Sequence, residues 1–178
     1  MEHVMLDLET MGNDSDAVII SIGAVFFNGL DIGKRFSVNI DLQSSLNLGL
    51  SVTADTIKWW MKQHKDVQDS QIHASGVPIV DALEQFQAFL NTQDIKYVKV
   101  WGNGAAFDNV ILRNAYESIG RGCTPWAYWN DRCYRTVNNL YPSVKISTVG
   151  NKHDSLADAV SQAIHLINIV TKHNINLK

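Results

Sequence analysis

Cysteine is scarce: Cys123 and Cys133 are the only two in 178 residues. That is too few for a disulfide framework, and the pair lacks the spacing of a zinc site. Long apolar runs are missing as well. Asp7, Glu9, Asp14 and Asp16 interrupt the apolar N-terminus, and no stretch reaches membrane-spanning length. The same N-terminus has no basic segment leading into a long apolar one, so it does not read as a secretory signal. A cytoplasmic protein with two reduced thiols is the expectation. Repeats, linkers and low-complexity segments are also absent, which leaves a single domain over residues 1–178. Nor is there a basic excess, since 15 Lys and Arg stand against 18 Asp and Glu for a net charge of −3. A general nucleic-acid-binding protein usually carries the opposite sign. A carboxylate cluster that takes up cations would reverse the sign locally, so charge alone excludes nothing.

What is present is ordinary for a globular chain: 46% hydrophobic and 19% charged residues, with length enough for a sizeable core. Val4 to Leu8 is a short apolar segment broken by one acid, as expected of a central strand whose end carries chemistry. Val18 to Phe27 is rich in β-branched and aromatic residues and is followed by the turn signal Asn28-Gly29. Lys34 to Ile40 alternates like a third strand, Tyr97 to Trp101 reads as a fourth, and Trp126 to Trp129 as a weaker fifth. Helices are predicted from a Thr53 cap through Trp59-Trp60-Met61, through Val80 to Leu90 behind Pro78, over Asn109 to Ile119, over Thr136 to Leu140, and strongly over Ser155 to Thr171. The order describes an α/β domain with a mixed sheet whose first three strands form a meander.

Acidic residues recur in three telling contexts. Asp7 and Glu9 lie two apart on one predicted strand and so share a face. Side by side on an apolar strand they repel and lose solvation, penalties that a cation removes and that a solvated strand end avoids. Asp108 follows Phe107 after a small-residue loop, where helix N-capping is the plain alternative to a metal ligand. His153 and Asp158 flank the start of the last helix, where a surface histidine and an acid favoured by the helix dipole are the plain alternative. Adjacent Trp59 and Trp60 point about 100° apart on a helix, so one can enter the core while the other faces outward. Arg132 and Arg135 suit either a phosphate contact or ordinary surface ion pairs. His3, His64, His73, His165 and His173 show no ligand spacing.

Together, Asp7-Leu8-Glu9, Asn103 with Phe107-Asp108, and His153 five residues before Asp158 resemble the DEDDh family of 3′-5′ exonucleases, relatives of RNase T and of polymerase proofreading subunits. Thr56-Ile57-Lys58-Trp59-Trp60 is similar to the RNase T-like and exonuclease VIII-like branch common in phages and bacteria. The resemblance implies a ribonuclease H-like fold, a central mixed five-stranded sheet flanked by helices. It implies hydrolysis of phosphodiester bonds from the 3′ end of single-stranded RNA or DNA, or of 3′ overhangs, releasing nucleoside 5′-monophosphates. Two divalent cations, Mg²⁺ or Mn²⁺, would be held by Asp7, Glu9, Asp108 and Asp158, hard-oxygen ligands suited to them. His153 would be the general base, as an imidazole titrates near working pH. Thr10, Met11, Asn103, Phe107 and Trp59 would touch the terminal nucleotide. A bacterial cell or an infected host cell is the implied setting, and some relatives are homodimers. Two other readings use the same fold: a non-catalytic nucleic-acid-binding or polymerase-associated module, and a ribonuclease H- or integrase-like endonuclease. Retention of all five site residues counts against the first, and His153 together with Phe107-Asp108 against the second.

Overall fold

A computed structural model describes residues 1–104 and 106–177. Its centre is β1 (His3–Thr10), buried along its whole length. β2 (Ile19–Phe27) and β3 (Ile32–Asn39) complete an antiparallel meander, while β4 (Lys99–Gly102) and β5 (Asp131–Cys133) add in parallel on the other side. The resulting order is β3-β2-β1-β4-β5. The helices are α1 (Leu42–Leu46), α2 (Ala54–Trp60), α3 (Lys65–Gln71), α4 (Ile79–Leu90), α5 (Asp108–Ser118), α6 (Tyr134–Leu140) and α7 (Ser155–His173). No helix among the described residues is long and apolar enough to cross a membrane, and both cysteines are free.

The strand alternation decides which face does what. Val4, Leu6 and Leu8 point into the larger core with Leu83 and Phe86 of α4 and Leu112 of α5. Met5 points the other way, into a second core with Trp101, Tyr134 and the apolar side of α7. Asp7 and Glu9 continue the Met5 row, so the period of two delivers both carboxylates to the α7 side.

The fifth strand is not where the aromatic run Trp126 to Trp129 suggested. Tyr128–Asn130 forms a single 3₁₀ turn, with Tyr128 and Trp129 exposed, and the strand begins at Asp131. The reason is tertiary. Asp131 accepts hydrogen bonds from Asn109 Nδ2 (2.9 Å), Trp126 Nε1 (2.8 Å) and Arg113 Nη2 (2.6 Å), which pins it opposite Val100. Helices α1 and α3, both short, had no sequence expectation. Thr53 occupies the N-cap of α2, yet its hydroxyl bonds to Thr56 Oγ1 (2.8 Å) and not to a helix amide.

One glycine sets how closely α7 approaches the sheet. Gly23 pairs with Asp7 across β1 and β2, and a Cβ there would lie 2.1 Å from the Ser155 carbonyl carbon and 2.3 Å from Leu156 N. The absent side chain lets the first turn of α7 rest on the strand beside Asp7. Because the opposing atoms are backbone, they cannot rotate away. Gly23→Ala is therefore expected to destabilise the protein by about 2 kcal/mol or more in urea unfolding, the upper range for overpacking. Gly29→Ala, whose Cβ would meet nothing within 4 Å, should unfold like the parent.

Candidate active site

Asp7 and Glu9 sit at the carboxyl end of β1, each 9% exposed. The β1–β2 register shifts between Glu9 and Thr10, a bulge that re-aims the strand end. Trp60, buried on α2, donates its indole N–H to Thr10 O (2.8 Å) and holds that bend. On the other side Gln162 Nε2 of α7 donates to Asp7 Oδ1 (2.7 Å).

Asp108 opens α5 but does not cap it. Its two oxygens accept from Leu8 N (3.1 Å) and Asn103 N (2.7 Å), bridging β1 and β4 where their pairing has ended at Met5 and Trp101. Gly102 makes room, since a Cβ there would stand 2.3 Å from Asn109 Oδ1.

The last motif closes on itself. Asp154 caps α7 through Ala157 N (2.8 Å), and His153 just before it adopts φ 62°, a left-handed conformation costly for a non-glycine residue. The His153 N–H donates to Asp158 Oδ2 (3.1 Å), which secures the turn. The imidazole meets Trp59 edge-to-face at 4.9 Å between ring centroids.

These elements converge. Glu9, His153 and Asp158 each present one ligand atom within 4.8 Å of the others. Asp7 and Asp108 stand outside that trio but act on it. Burial raises Asp7 well above the usual carboxylate range, reinforced by the charges of Asp108, Glu9 and Asp158 and opposed by the Gln162 hydrogen bond. Burial, with Asp158, Asp108 and Asp154, pushes Glu9 up to about 8. Asp108 is raised by burial to about 6, held down by the Leu8 and Asn103 amides and by Arg135. Asp158 is raised chiefly by burial, against the His153 N–H. An oxygen-rich, electron-donating cluster whose members resist ionising together fits a hard divalent cation, because bound positive charge removes the repulsion.

Two cavities flank Glu9. One of about 410 Å³ is lined by Thr10, Asp55, Thr56, Trp59 and Phe107; the other, of about 440 Å³, by Asp7, Asn103, Asn138, Thr148 and Lys152. Trp60 is the buried member of the tryptophan pair and Trp59 the exposed one, at 41%. Asn103 lines the second cavity, and Trp59 and Phe107 line the first. The Thr10 hydroxyl is engaged with Gly12 O (2.7 Å). Met11 packs against the core and lines a separate small cavity with Ile57, Trp60 and Met61. Arg132 turns to the carbonyls of Trp129 (2.8 Å) and Asp131 (2.9 Å). Arg135 is the arginine whose charge reaches Asp108. Sequence reading passed over Gln162. Its position one helical turn beyond Asp158 was the available signal, since residues four apart share a helix face.

The Rv2179c-like 3′-5′ exoribonuclease domain family matches residues 2–170. Comparison with curated proteins gives no match. Among solved structures, the chain is similar to the nuclease domain of 3′hExo, a DEDDh family member, bound to rAMP: 13% identity over 96% of this chain and 92% of that one, TM-score 0.64. It is similar to a 3′-exonuclease described for 3′-end specific recognition of histone mRNA stem-loop, at 12% identity over 96% and 81%, TM-score 0.62. Exonuclease X in complex with 5′ overhanging duplex DNA aligns at 16% identity over 98% and 94%, TM-score 0.60. These likenesses establish the ribonuclease H-like fold, and the family match establishes the kinship: the chain belongs to the Rv2179c-like 3′-5′ exoribonuclease domain family.

Proposed function

We propose that this protein removes nucleotides one at a time from the 3′ end of single-stranded RNA, or of a 3′ overhang, releasing nucleoside 5′-monophosphates. The observation that carries the reading is the convergence of Glu9, His153 and Asp158 between two open cavities, with Asp7 and Asp108 beside them. RNA is chosen over DNA because the family is one of exoribonucleases. A non-catalytic module would have no use for four carboxylates held against their own repulsion beside a histidine.

Asp7, Glu9 and Asp158, with Asp108, would hold two Mg²⁺ or Mn²⁺ ions. Bound there, divalent cations supply Lewis-acid stabilisation of the charge that builds on the phosphoryl group. His153 accepts the proton of the attacking water as its oxygen bonds to phosphorus. The bond from phosphorus to the 3′ oxygen of the preceding nucleotide breaks, and that oxygen takes a proton from solvent water to leave a new 3′-hydroxyl. Trp59 and Phe107 bracket the cavity where the terminal base stacks, a contact that tolerates any base because each has a π-face. Lys152 lines the opposite cavity and can offset charge on the following phosphates.

With matched 5′-labelled RNA and DNA oligonucleotides, Mg²⁺ or Mn²⁺ should yield a ladder shortening from the 3′ end, faster on RNA and abolished by EDTA. Strands intact under every condition would overturn the reading. His153→Ala should lower kcat about 10²–10⁴-fold, the usual worth of a positioned base, while calorimetry still detects Mn²⁺ binding. Turnover equal to the parent's would remove His153 from that role.

The raised carboxylates also fix the pH dependence of the metal-free protein. Between the ordinary value of 4.5 and about 8, folded Glu9 keeps a proton that the unfolded chain releases, so stability falls as pH rises through that window. In EDTA, Tm should drop more from pH 5.5 to 8 for the parent than for Glu9→Gln, and Mn²⁺ should restore more at pH 8. Parallel curves for the two proteins would contradict the shift.

A further inference from the structure

Helix α7 packs an apolar side on the sheet, yet Ser161, Gln162 and His165 are buried there, at 1%, 5% and 1% exposure. With Asp158 they fall at i, i+3, i+4 and i+7, one polar stripe along the helix. Burying such groups is unfavourable unless their bonds are made. Each makes bonds to the active site or its surroundings. Gln162 holds Asp7 through Nε2, with its Oε1 left without a partner. Ser161 Oγ accepts from Val149 N (2.8 Å) while donating to Ala157 O (2.8 Å). His165 Nε2 meets Val144 O (2.8 Å) and its Nδ1 meets the Tyr134 hydroxyl (2.7 Å). A carbonyl only accepts, so Nε2 carries a proton toward Val144, and in the neutral ring Nδ1 accepts from the Tyr134 hydroxyl.

The three bonds to the loop have an order. Val144 is tied to His165, Val149 to Ser161 and His153 to Asp158. As the chain from Tyr141 to His153 advances, its attachments step back along α7 by about one turn each time. This segment has no helix or strand and is largely exposed, so its course depends on such attachments. It ends at the imidazole, whose ring rests against Trp59.

We propose that Ser161 and His165 are positioning residues that fasten residues 141–153 along α7 and thereby set His153 over Glu9 and Asp158. They touch neither substrate nor attacking water. The inference rests on His153 being the general base, and its test separates the two. His165→Leu removes both imidazole bonds at similar volume. His165→Gln retains an N–H able to reach Val144 O. Ser161→Ala releases Val149 with little change in packing.

Kinetics on 5′-labelled single-stranded RNA should be paired with the imidazole NMR spectrum of the metal-free protein, the His153 signal being identified by its loss in His153→Gln. His165→Leu and Ser161→Ala should lower kcat about 10- to 100-fold with KM within about threefold, the cost of small misplacement of a reacting group. Both should move the His153 signal away from its position in the parent, where Trp59 lies against the ring. His165→Gln should recover most of kcat and return the signal. Full kcat with an unmoved signal in folded variants overturns the proposal, as does lost kcat with the signal unmoved. Should His165→Leu fail to fold, Ser161→Ala decides by the same two readouts. Parent-level turnover in His153→Ala would defeat the general-base reading, and the signal in the stripe variants would still report whether the loop had shifted.

Discussion

Repulsion among carboxylates gathered at one poorly solvated end of the sheet is the constraint on which this structure turns. In a low-dielectric site each added negative charge raises the free energy of the others, and burial adds to that by stripping solvent. Asp7 and Asp108 are held by neutral donors: the Gln162 amide for one, the Leu8 and Asn103 backbone for the other. Those bonds orient the oxygens and lower the penalty without supplying positive charge. Glu9 and Asp158 open toward the cleft, where His153 stands and where cations can reach them. The site is thus pre-shaped and rich in negative charge, a setting in which a bound cation would add to stability.

The rest of the fold makes that convergence reachable. A period of two along β1 sends Met5, Asp7 and Glu9 to one face, and Gly23 clears the path for α7 on that same face. The first turn of α7 then brings Asp158 toward Glu9, and the bond from the His153 amide to Asp158 folds the preceding loop back over both. Trp60 and Trp59, neighbours on α2, do separate work: one braces the strand end from inside, the other walls the cleft and contacts the imidazole. The groups proposed for base stacking, proton transfer and cation binding therefore come from different elements and meet at one cleft.

Much of this was legible from residue order because the chemistry sits in short local patterns. Asp7-x-Glu9 needs only strand alternation to be placed. His153 and Asp158 need only the start of an amphipathic helix, and the strong apolar period from Ser155 onward supplies it. The errors have equally physical causes. Aromatic residues favour strands on average, but Tyr128 and Trp129 lie outside the sheet because Asp131 is captured by Asn109, Arg113 and Trp126, partners near and far in the chain.

The sequence by itself singled out the candidate reactive groups, the face of β1 that carries two of them, and the helix that carries a third. Periodicity and local spacing are properties of neighbouring residues, and they survive without knowledge of the fold. Only the tertiary structure decided that Ser161, Gln162 and His165 are buried on the stripe of α7 that faces the site, that Asp108 bridges two strands in place of capping a helix, and that Trp59 rests on His153. Those outcomes depend on which distant backbone groups lack partners once the sheet and helices have packed, and a one-dimensional pattern does not contain that information.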